Sequence, residues 1–457
     1  MNRRRMVLAL LLAILPFATL LAQESRIVPS VPDTGRLVPA KQVEPGLPPA
    51  TADMGAVDGA VVMEGEYTPS FGERMAGFRE ALFKPLTFSW FDGYVNSDGD
   101  LMTSDLEDPY WFRADLMWGW FKKASTPALI TTSSPQTSRG IIGQPGTRVL
   151  FGGDIDLQTH LGPRVTGGFW LDPTQSWGFE GSYFFFSNRS TYYHRFSQGG
   201  VLLASPYIDA LTGQQSAIPI ANEELEDGSL DQLIGIVDFG THSRIQGAEF
   251  NNIHNIRRRV GSRLDWTWGF RWIELDETVF TDYRQQQVNG AQSHVWDDFG
   301  TANNFYGLNL GLRSQWYFGS TWSLDITGKL GLGAMRGTIT IDGYTQTAVP
   351  PQFIINTERG GLYAQASNVG RTTDIRFGVV PEIEIALGYY FWDHWRFTMG
   401  YNFMAMTNVV RPGDQIDNRI NPNIFNGQTG GPNLPEPLNK TSTFYLNTLS
   451  LGLEIRY

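Results

Sequence analysis

The chain of 457 residues contains no cysteine. A disulfide framework, a lipid-modified cysteine and a zinc site built on thiolates are therefore excluded. After the first 22 residues, no stretch approaches the roughly 20 apolar residues that a membrane-spanning helix needs. Long basic runs are also missing, and the formal net charge of -11 at pH 7 argues against nucleic acid, whose binding depends on basic patches. An aromatic content of 13% favours β-sheet.

The N-terminus has the pattern of a secretory signal peptide. Arg3, Arg4 and Arg5 form a positive region, and residues 6–15 form an apolar segment ahead of Pro16. We expect cleavage after Ala22 and a secreted mature protein, so that residues 1–22 form the signal peptide.

Residues 23–109 precede the regular part of the sequence. Residues 23–60 are rich in proline, glycine, alanine and valine, which predicts a disordered leader. In residues 61–109, a short amphipathic helix fits 73–83 and a strand fits 86–94, and the sequence leaves open whether they lie in the periplasm or inside a barrel. Asn96, Asp98, Gly99 and Asp105 match four positions of a calcium loop, but Tyr94 stands at the first carboxylate position, which favours an Asx-rich turn.

From residue 110 onward, apolar and polar side chains alternate in long segments. This is typical of strands with one face toward lipid and the other toward a polar lumen. The alternation predicts ten strands, at 110–120, 164–172, 177–187, 243–253, 262–273, 304–317, 322–341, 374–391, 395–409 and 443–457.

The connections between these segments alternate between short and long, as in outer-membrane barrels. The short ones are 173–176, 254–261, 318–321 and 392–394, and the long ones are 121–163, 188–242, 274–303, 342–373 and 410–442. The pattern predicts an all-β fold, a closed antiparallel transmembrane β-barrel of about ten strands over residues 110–457, or twelve if a long loop hides a hairpin. Both barrel ends of the chain then lie on the periplasmic side. A soluble β-sandwich or propeller is the alternative, because alternation alone is also typical of a half-buried sheet.

Strand alternation also assigns side chains to the two faces of the barrel. The lipid face receives Trp266, Trp268, Phe270, Trp272 and Tyr457. The lumen receives Arg113, Asp115, Arg164, Glu180, Glu249, Arg263, Asp265, Arg271, Arg313, Asp325, Lys329, Arg376, Glu382, Glu384, Arg396, Glu454 and Arg456.

These lumen charges nearly balance, and ten strands enclose little open space. Each inward carboxylate must find a cation, so we expect paired charges to occlude most of the lumen. The order of the strands suggests Arg271 and Arg313 near Asp325, and Glu382 and Glu384 near Arg396.

The sequence offers little support for catalysis. The six histidines show no i, i+4 pairing, and no nucleophile elbow or phosphate loop is present. His294 lies close to Asp297 and Asp298 on a predicted outward loop, and solvated loop charges are the better interpretation of this group. We expect no enzymatic activity, no cofactor and no bound metal.

Several stretches together carry a resemblance to a known family. They are 143–153 (GQPGTRVLFGG), 168–172 (GFWLD), 177–184 (WGFEGSYF), 269–277 (GFRWIELDE), 367–371 (SNVGR) and 408–417 (NVVRPGDQID). From residue 110 to residue 457, the chain resembles the beta-barrel porin-7 family of bacterial outer-membrane proteins. The resemblance implies a barrel in the bacterial outer membrane, and it brings no catalytic or binding residues with it.

Two functional classes fit this reading. The first, which the resemblance favours, is a passive porin-like channel, and the alternative is a non-conducting barrel that displays long extracellular loops for adhesion or recognition. The expected partners are outer-membrane lipid and, during insertion, the barrel assembly machinery, because Leu449, Leu451, Leu453, Ile455 and Tyr457 look like the terminal strand that this machinery recognises. The sequence does not indicate an oligomeric state.

Overall fold

The structure is a computed structural model that describes residues 108–223, 232–259, 261–351, 354–392, 394–426 and 428–457. The predicted signal peptide, the leader and nearly all of residues 61–109, with the candidate calcium loop, lie outside the described residues. Within the described parts, no helix is long and apolar enough to span a bilayer.

The described residues form an all-β fold with three short 3-10 helices, at Gln136–Ser138, Pro412–Gln415 and Pro422–Asn426. The strands are β1 (Tyr110–Phe121), β2 (Ala124–Ser133), β3 (Thr147–Ile155), β4 (Thr159–Trp170), β5 (Trp177–Phe185), β6 (Arg189–Ser197), β7 (Leu203–Asp209), β8 (Gln215–Ala221), β9 (Leu233–Arg259), β10 (Ser262–Gln287), β11 (Gln292–Phe318), β12 (Trp322–Val349), β13 (Ile354–Arg359), β14 (Gly370–Trp392), β15 (Trp395–Val409), β16 (Arg419–Ile420) and β17 (Ser442–Arg456).

Ten of these strands pair in a ring. Their order is β1, β4, β5, β9, β10, β11, β12, β14, β15, β17 and back to β1, and every pairing is antiparallel. The first and last ring strands pair with Ala114 opposite Leu453. Each ring strand overlaps one of the ten predicted segments, so the predicted number of ring strands is confirmed.

The predicted long connection 274–303 is wrong. β10 continues to Gln287 and β11 begins at Gln292, so only a four-residue turn separates them. The alternation persists there, since Leu275, Val279 and Phe299 are buried inside the ring while charged residues occupy the other face. The charged residues that follow the aromatic segment 262–273 give the sequence the composition of a loop, although the chain remains a strand there.

The predicted short connection 254–261 is also wrong, because β9 extends through Arg259. The polar run before Ser262 continues the pairing with β10, with Arg257 opposite Leu264 and Arg259 opposite Ser262. A β-bulge at Leu264 and Asp265 shifts the register, which hides the alternation in the sequence.

The other long connections build structure of their own. β16, β7, β2 and β3 form a second sheet, with β8 on β7, while β6 pairs with β9 and β13 pairs with β12. Leu129, Ile130 and Leu203 of this sheet are buried in the same hydrophobic cluster as inward side chains of the ring. Burial of these apolar side chains, not local turn signals, holds the connections in place.

The interior of the ring has two layers. We call the end with the turns after β4, β9, β11 and β14 the turn side and the opposite end the loop side. Toward the turn side the inward residues are mostly charged. Toward the loop side, inward Phe239, Phe299, Phe305 and Phe444 pack with residues from the long connections. These two layers are the region in which a lumenal function would reside.

Candidate functional site

Sixteen inward side chains, eight basic and eight acidic, form what we call the charged layer. They are Arg113, Asp115, Arg164, Glu180, Glu249, Arg263, Asp265, Arg271, Arg313, Asp325, Lys329, Glu382, Glu384, Arg396, Glu454 and Arg456. Fifteen of them line a single cavity of about 130 Å³, and Asp115 contacts two of those fifteen. The layer therefore combines nearly all predicted lumen residues and carries no net formal charge.

Arg376 does not join this layer. Its Nε lies 2.8 Å from Asp374, and its Nη2 donates to the carbonyl of Asn439 at 3.3 Å. The alternation predicted that Arg376 faces inward, but it did not predict how far along the strand this residue lies. Arg376 lies near the loop-side end of β14.

The centre of the charged layer is a group of four residues from three strands. Arg164 donates two parallel hydrogen bonds to Glu384, at 3.0 and 2.8 Å, and a third to Asp115 at 3.1 Å. Arg113 bridges the same two carboxylates at 2.9 and 3.0 Å. Three strands separate β4 from β14 around the ring, so these bonds cross the lumen. Bidentate arginine–carboxylate pairs of this kind are among the stronger hydrogen-bonded contacts in proteins.

The remaining carboxylates are paired as well. Glu180 accepts two bonds from Arg313, at 3.0 and 2.5 Å, and one from the Trp111 indole at 3.2 Å. Lys329 lies 2.5 Å from Glu249, which also accepts from Asn309 at 3.1 Å. The other pairs are Arg271 with Glu382, Arg263 with Asp265, Arg396 with Asp325 and Glu454, and Arg456 with Glu454.

The specific pairs suggested by strand order are wrong. Arg271 contacts Glu382, Arg313 contacts Glu180, and Asp325 contacts Arg396. Glu384 contacts Arg164 and Arg113. Partner choice depends on which side chains reach the same height across a narrow lumen, and adjacency in sequence does not encode that height.

The predicted lipid-face residues lie on the outer surface of the ring. Trp266, Phe270 and Tyr457 are exposed there. Trp268 is half-buried and contacts the edge of Trp177 with ring centroids 5.6 Å apart. Trp272 is half-buried, and its indole donates to Asn304 at 3.3 Å. None of the five reaches the charged layer.

Two polar contacts fix the long connections inside the loop side of the ring, and we call them latches. In the first latch, Arg411 donates to both oxygens of Glu277, at 2.9 and 2.6 Å, and to the carbonyl of Lys123 at 2.6 Å. Both charged side chains are buried. Beside them, Asn303 exchanges two 2.8 Å hydrogen bonds with the backbone of Val410.

Asp297 forms the second latch. Its carboxylate accepts hydrogen bonds from the backbone N–H groups of Tyr363 and Ala364, at 3.1 and 2.8 Å, and from Thr281 at 3.1 Å. Gly361 is required here, because a Cβ at that position would collide with the carboxylate. The Tyr363 hydroxyl in turn bonds Ser205 and the carbonyl of Pro206, each at 2.8 Å.

The sequence did not single out Glu277, Asn303 or Arg411, and it interpreted Asp297 as a loop charge. Glu277 falls in the predicted loop 274–303, although it continues the inward parity of Asp265 and Arg271. This continued alternation was the sequence signal that could have identified Glu277 as an inward residue. His294 lies 3.0 Å from Asp282, while Asp297 is inside the ring and Asp298 lies opposite Asp342 of β12 in the strand register. The candidate acid–histidine group is therefore not assembled.

The second latch is expected to weaken as pH rises. Burial raises the pKa of Asp297 to about 6. The phenols of Tyr283 and Tyr363 lie near this carboxyl group and carry no positive charge that would favour its ionised form. The latched state therefore favours the protonated acid, and its stability falls as pH rises from about 4 through 6, by roughly 3 kcal/mol if release restores an ordinary pKa. Proteolysis within residues 361–369 should be faster at pH 8 than at pH 5, and Asp297→Asn should abolish this difference. An unchanged pH dependence in Asp297→Asn would assign the effect to another group.

The family model described as Putative beta barrel porin-7 matches residues 111–457, and the chain belongs to this family. The structure is similar to the outer membrane protease OmpT from Escherichia coli, with 10% identity, a TM-score of 0.36, and coverage of 76% of this chain and 97% of that chain. It is also similar to the toluene transporter TodX of P. putida, with 9% identity, a TM-score of 0.19, and coverage of 78% and 92%. A FadL homologue of Pseudomonas aeruginosa shows 7% identity, a TM-score of 0.21, and coverage of 76% and 90%. No curated protein matches the chain.

Proposed function

We propose that this chain is an integral β-barrel of the bacterial outer membrane, closed to solutes in its resting state, which displays a folded surface on its loop side for adhesion or recognition. In this proposal the turn-side half of the ring spans the bilayer and the loop side projects outward. The observation that carries the proposal is the filling of the ring by two different layers, one of paired charges and one of apolar side chains.

The charged layer leaves little room for passage. Its cavity of about 130 Å³ can hold on the order of ten water molecules. All eight carboxylates lie within salt-bridge distance of an arginine or lysine, so no surplus charge is left to attract a permeating ion. A ring of unpaired charges of one sign would instead favour an ion-selective pore.

The apolar layer blocks the loop side by a different physical effect. An ion that crosses it would lose its hydration among side chains such as Phe239, Phe299, Phe305 and Tyr363, which are fully buried. Moving a charge into such surroundings is far more costly than leaving it in water. The same layer fixes the second sheet to the ring, so the loop side presents a defined surface.

A gated porin is the second candidate. The observation that favours it is that two compact latches, Glu277 with Arg411 and Asp297 with residues 363–364, hold the inserted segments. Segments that are held by a few polar contacts can be released together, whereas the hydrogen-bonded strands of the ring cannot.

Single-channel recording of the refolded full chain in planar bilayers separates the candidates. We expect no steady open level from the wild-type protein. The variant Arg411→Ala/Asp297→Ala removes one side of each latch, and it should also stay closed if display is the function. Steady openings in this variant alone would establish the gated porin, and large steady conductance of the wild type would reject the closed resting state.

A further inference from the structure

The outer face of the ring carries two exposed arginines at its turn side. Arg257 and Arg259 end β9, and their β10 partners Leu264 and Ser262 lie on the outward face. Arg258, between them, pairs with inward Arg263 and donates to Gln175 at 2.7 Å. Of these three consecutive arginines, Arg258 therefore lies on the inward face, and Arg257 and Arg259 lie on the outward face.

These two arginines contrast with those of the charged layer. Each arginine of the charged layer has a carboxylate partner, such as Asp115 and Glu384 for Arg164. Among the residues that the structure describes, no carboxylate lies within salt-bridge distance of Arg257 or Arg259. The protein thus places two arginines without a carboxylate partner on a surface that is mostly apolar and aromatic.

The surroundings indicate the environment of this arginine pair. Trp177, Trp266 and Trp322 are exposed on the same outward face near the short turns, and the Trp177 ring lies 4.2 Å from that of His254 on β9. Exposed aromatic rings at the ends of membrane strands mark the level of lipid headgroups. Ile256, which precedes Arg257 in the chain, is 51% exposed and adds an apolar side chain beside the two arginines.

We propose that Arg257 and Arg259 form a binding site for the phosphate of an anionic phospholipid headgroup in the turn-side leaflet. The inference rests on the proposed membrane location. A guanidinium can donate two parallel hydrogen bonds to phosphate oxygens. A zwitterionic lipid neutralises its own phosphate, whereas an anionic lipid leaves a net charge for the arginines to bind.

Native mass spectrometry of the full chain tests this site. The protein is released from micelles that contain equal amounts of phosphatidylglycerol and phosphatidylcholine with matched chains. We expect roughly tenfold enrichment of bound phosphatidylglycerol in the wild type, and near parity in Arg257→Gln/Arg259→Gln. The control Arg148→Gln/Arg195→Gln makes the same change in net charge at exposed loop-side positions and should keep the enrichment. Inorganic phosphate should not displace the bound lipid.

Further outcomes distinguish the ways in which the inference can fail. Bound lipid without headgroup preference in the wild type overturns the site and leaves the membrane location intact, whereas the absence of any bound lipid contradicts the proposed function itself. If the glutamine variant fails to fold, Arg257→Lys/Arg259→Lys retains both charges and should still enrich phosphatidylglycerol. Displacement by free phosphate would identify a soluble-anion site instead, and enrichment that persists in the folded glutamine variant would place the site elsewhere.

Discussion

Replacing Arg164 by methionine should lower the free energy of unfolding by about 3–5 kcal/mol. The substitution removes three hydrogen bonds and leaves Glu384 and Asp115, both buried, with only Arg113 as a partner. A buried carboxylate that loses its cation keeps its desolvation penalty, which is why one-sided removal is so costly. Urea titration of the protein refolded in lipid vesicles measures the effect.

The matched control is Arg376→Met, in the same ring but outside the charged layer. Arg376 is 31% exposed and contacts Asp374, which is also solvent-accessible. Exposed pairs contribute little, so this variant should remain within about 0.5 kcal/mol of the wild type. Equal effects of the two substitutions would show that the cross-lumen pairs do not stabilise the ring.

Replacing Phe270 by arginine should cost about 2–4 kcal/mol in lipid. Phe270 is 53% exposed on the outer face, between Trp268 and Trp272, and its β11 partner is Leu308. In the proposed membrane location this surface contacts acyl chains, where a guanidinium loses its hydration without finding a partner. The same vesicle-based unfolding experiment measures the loss.

Val288→Arg is the control for the lipid-face variant. Val288 is 74% exposed in the turn that joins β10 to β11 on the loop side, so an arginine there stays in water and should change stability by less than about 0.5 kcal/mol. If Phe270→Arg unfolds at the same urea concentration as the wild type, this face does not contact lipid.

The turn-side parts of the ring strands were predictable, because there each strand presents an apolar face outward and a polar face inward at a period of two. The segment 262–273 shows this most clearly, since all its aromatic residues fall on one face of the strand and all its charged residues fall on the other. The limits of several strands were not predictable. Beyond Ile273 the outward face of β10 carries Asp276 and Asp282, which is the composition of a loop, although Leu275 and Val279 continue inward.

The candidate site was predictable in membership but not in pairing. Strand alternation places Glu384 and Arg164 inside the ring, yet only the three-dimensional arrangement of β1, β4 and β14 brings the two side chains to the same height. The latches were harder to predict, because Arg411 and Glu277 lie far apart in the chain and meet only after a long connection folds back. A contact of this kind depends on tertiary packing, which a single sequence pattern does not record.

The most direct test of the proposed closed interior is thiol labelling, because the chain has no native cysteine and a single introduced thiol reports without background. Thr166 faces the cavity of the charged layer, and Thr166→Cys keeps its size. The variant is placed in proteoliposomes of uniform orientation and treated from outside with a small membrane-impermeant thiol reagent. Val288→Cys verifies the orientation for the loop side, and Ser320→Cys, in an exposed turn position, verifies it for the turn side. The thiol at position 166 should react when the turn side faces the reagent and stay protected when the loop side does. Equal reaction rates from both sides would contradict a ring that is closed by its own long connections.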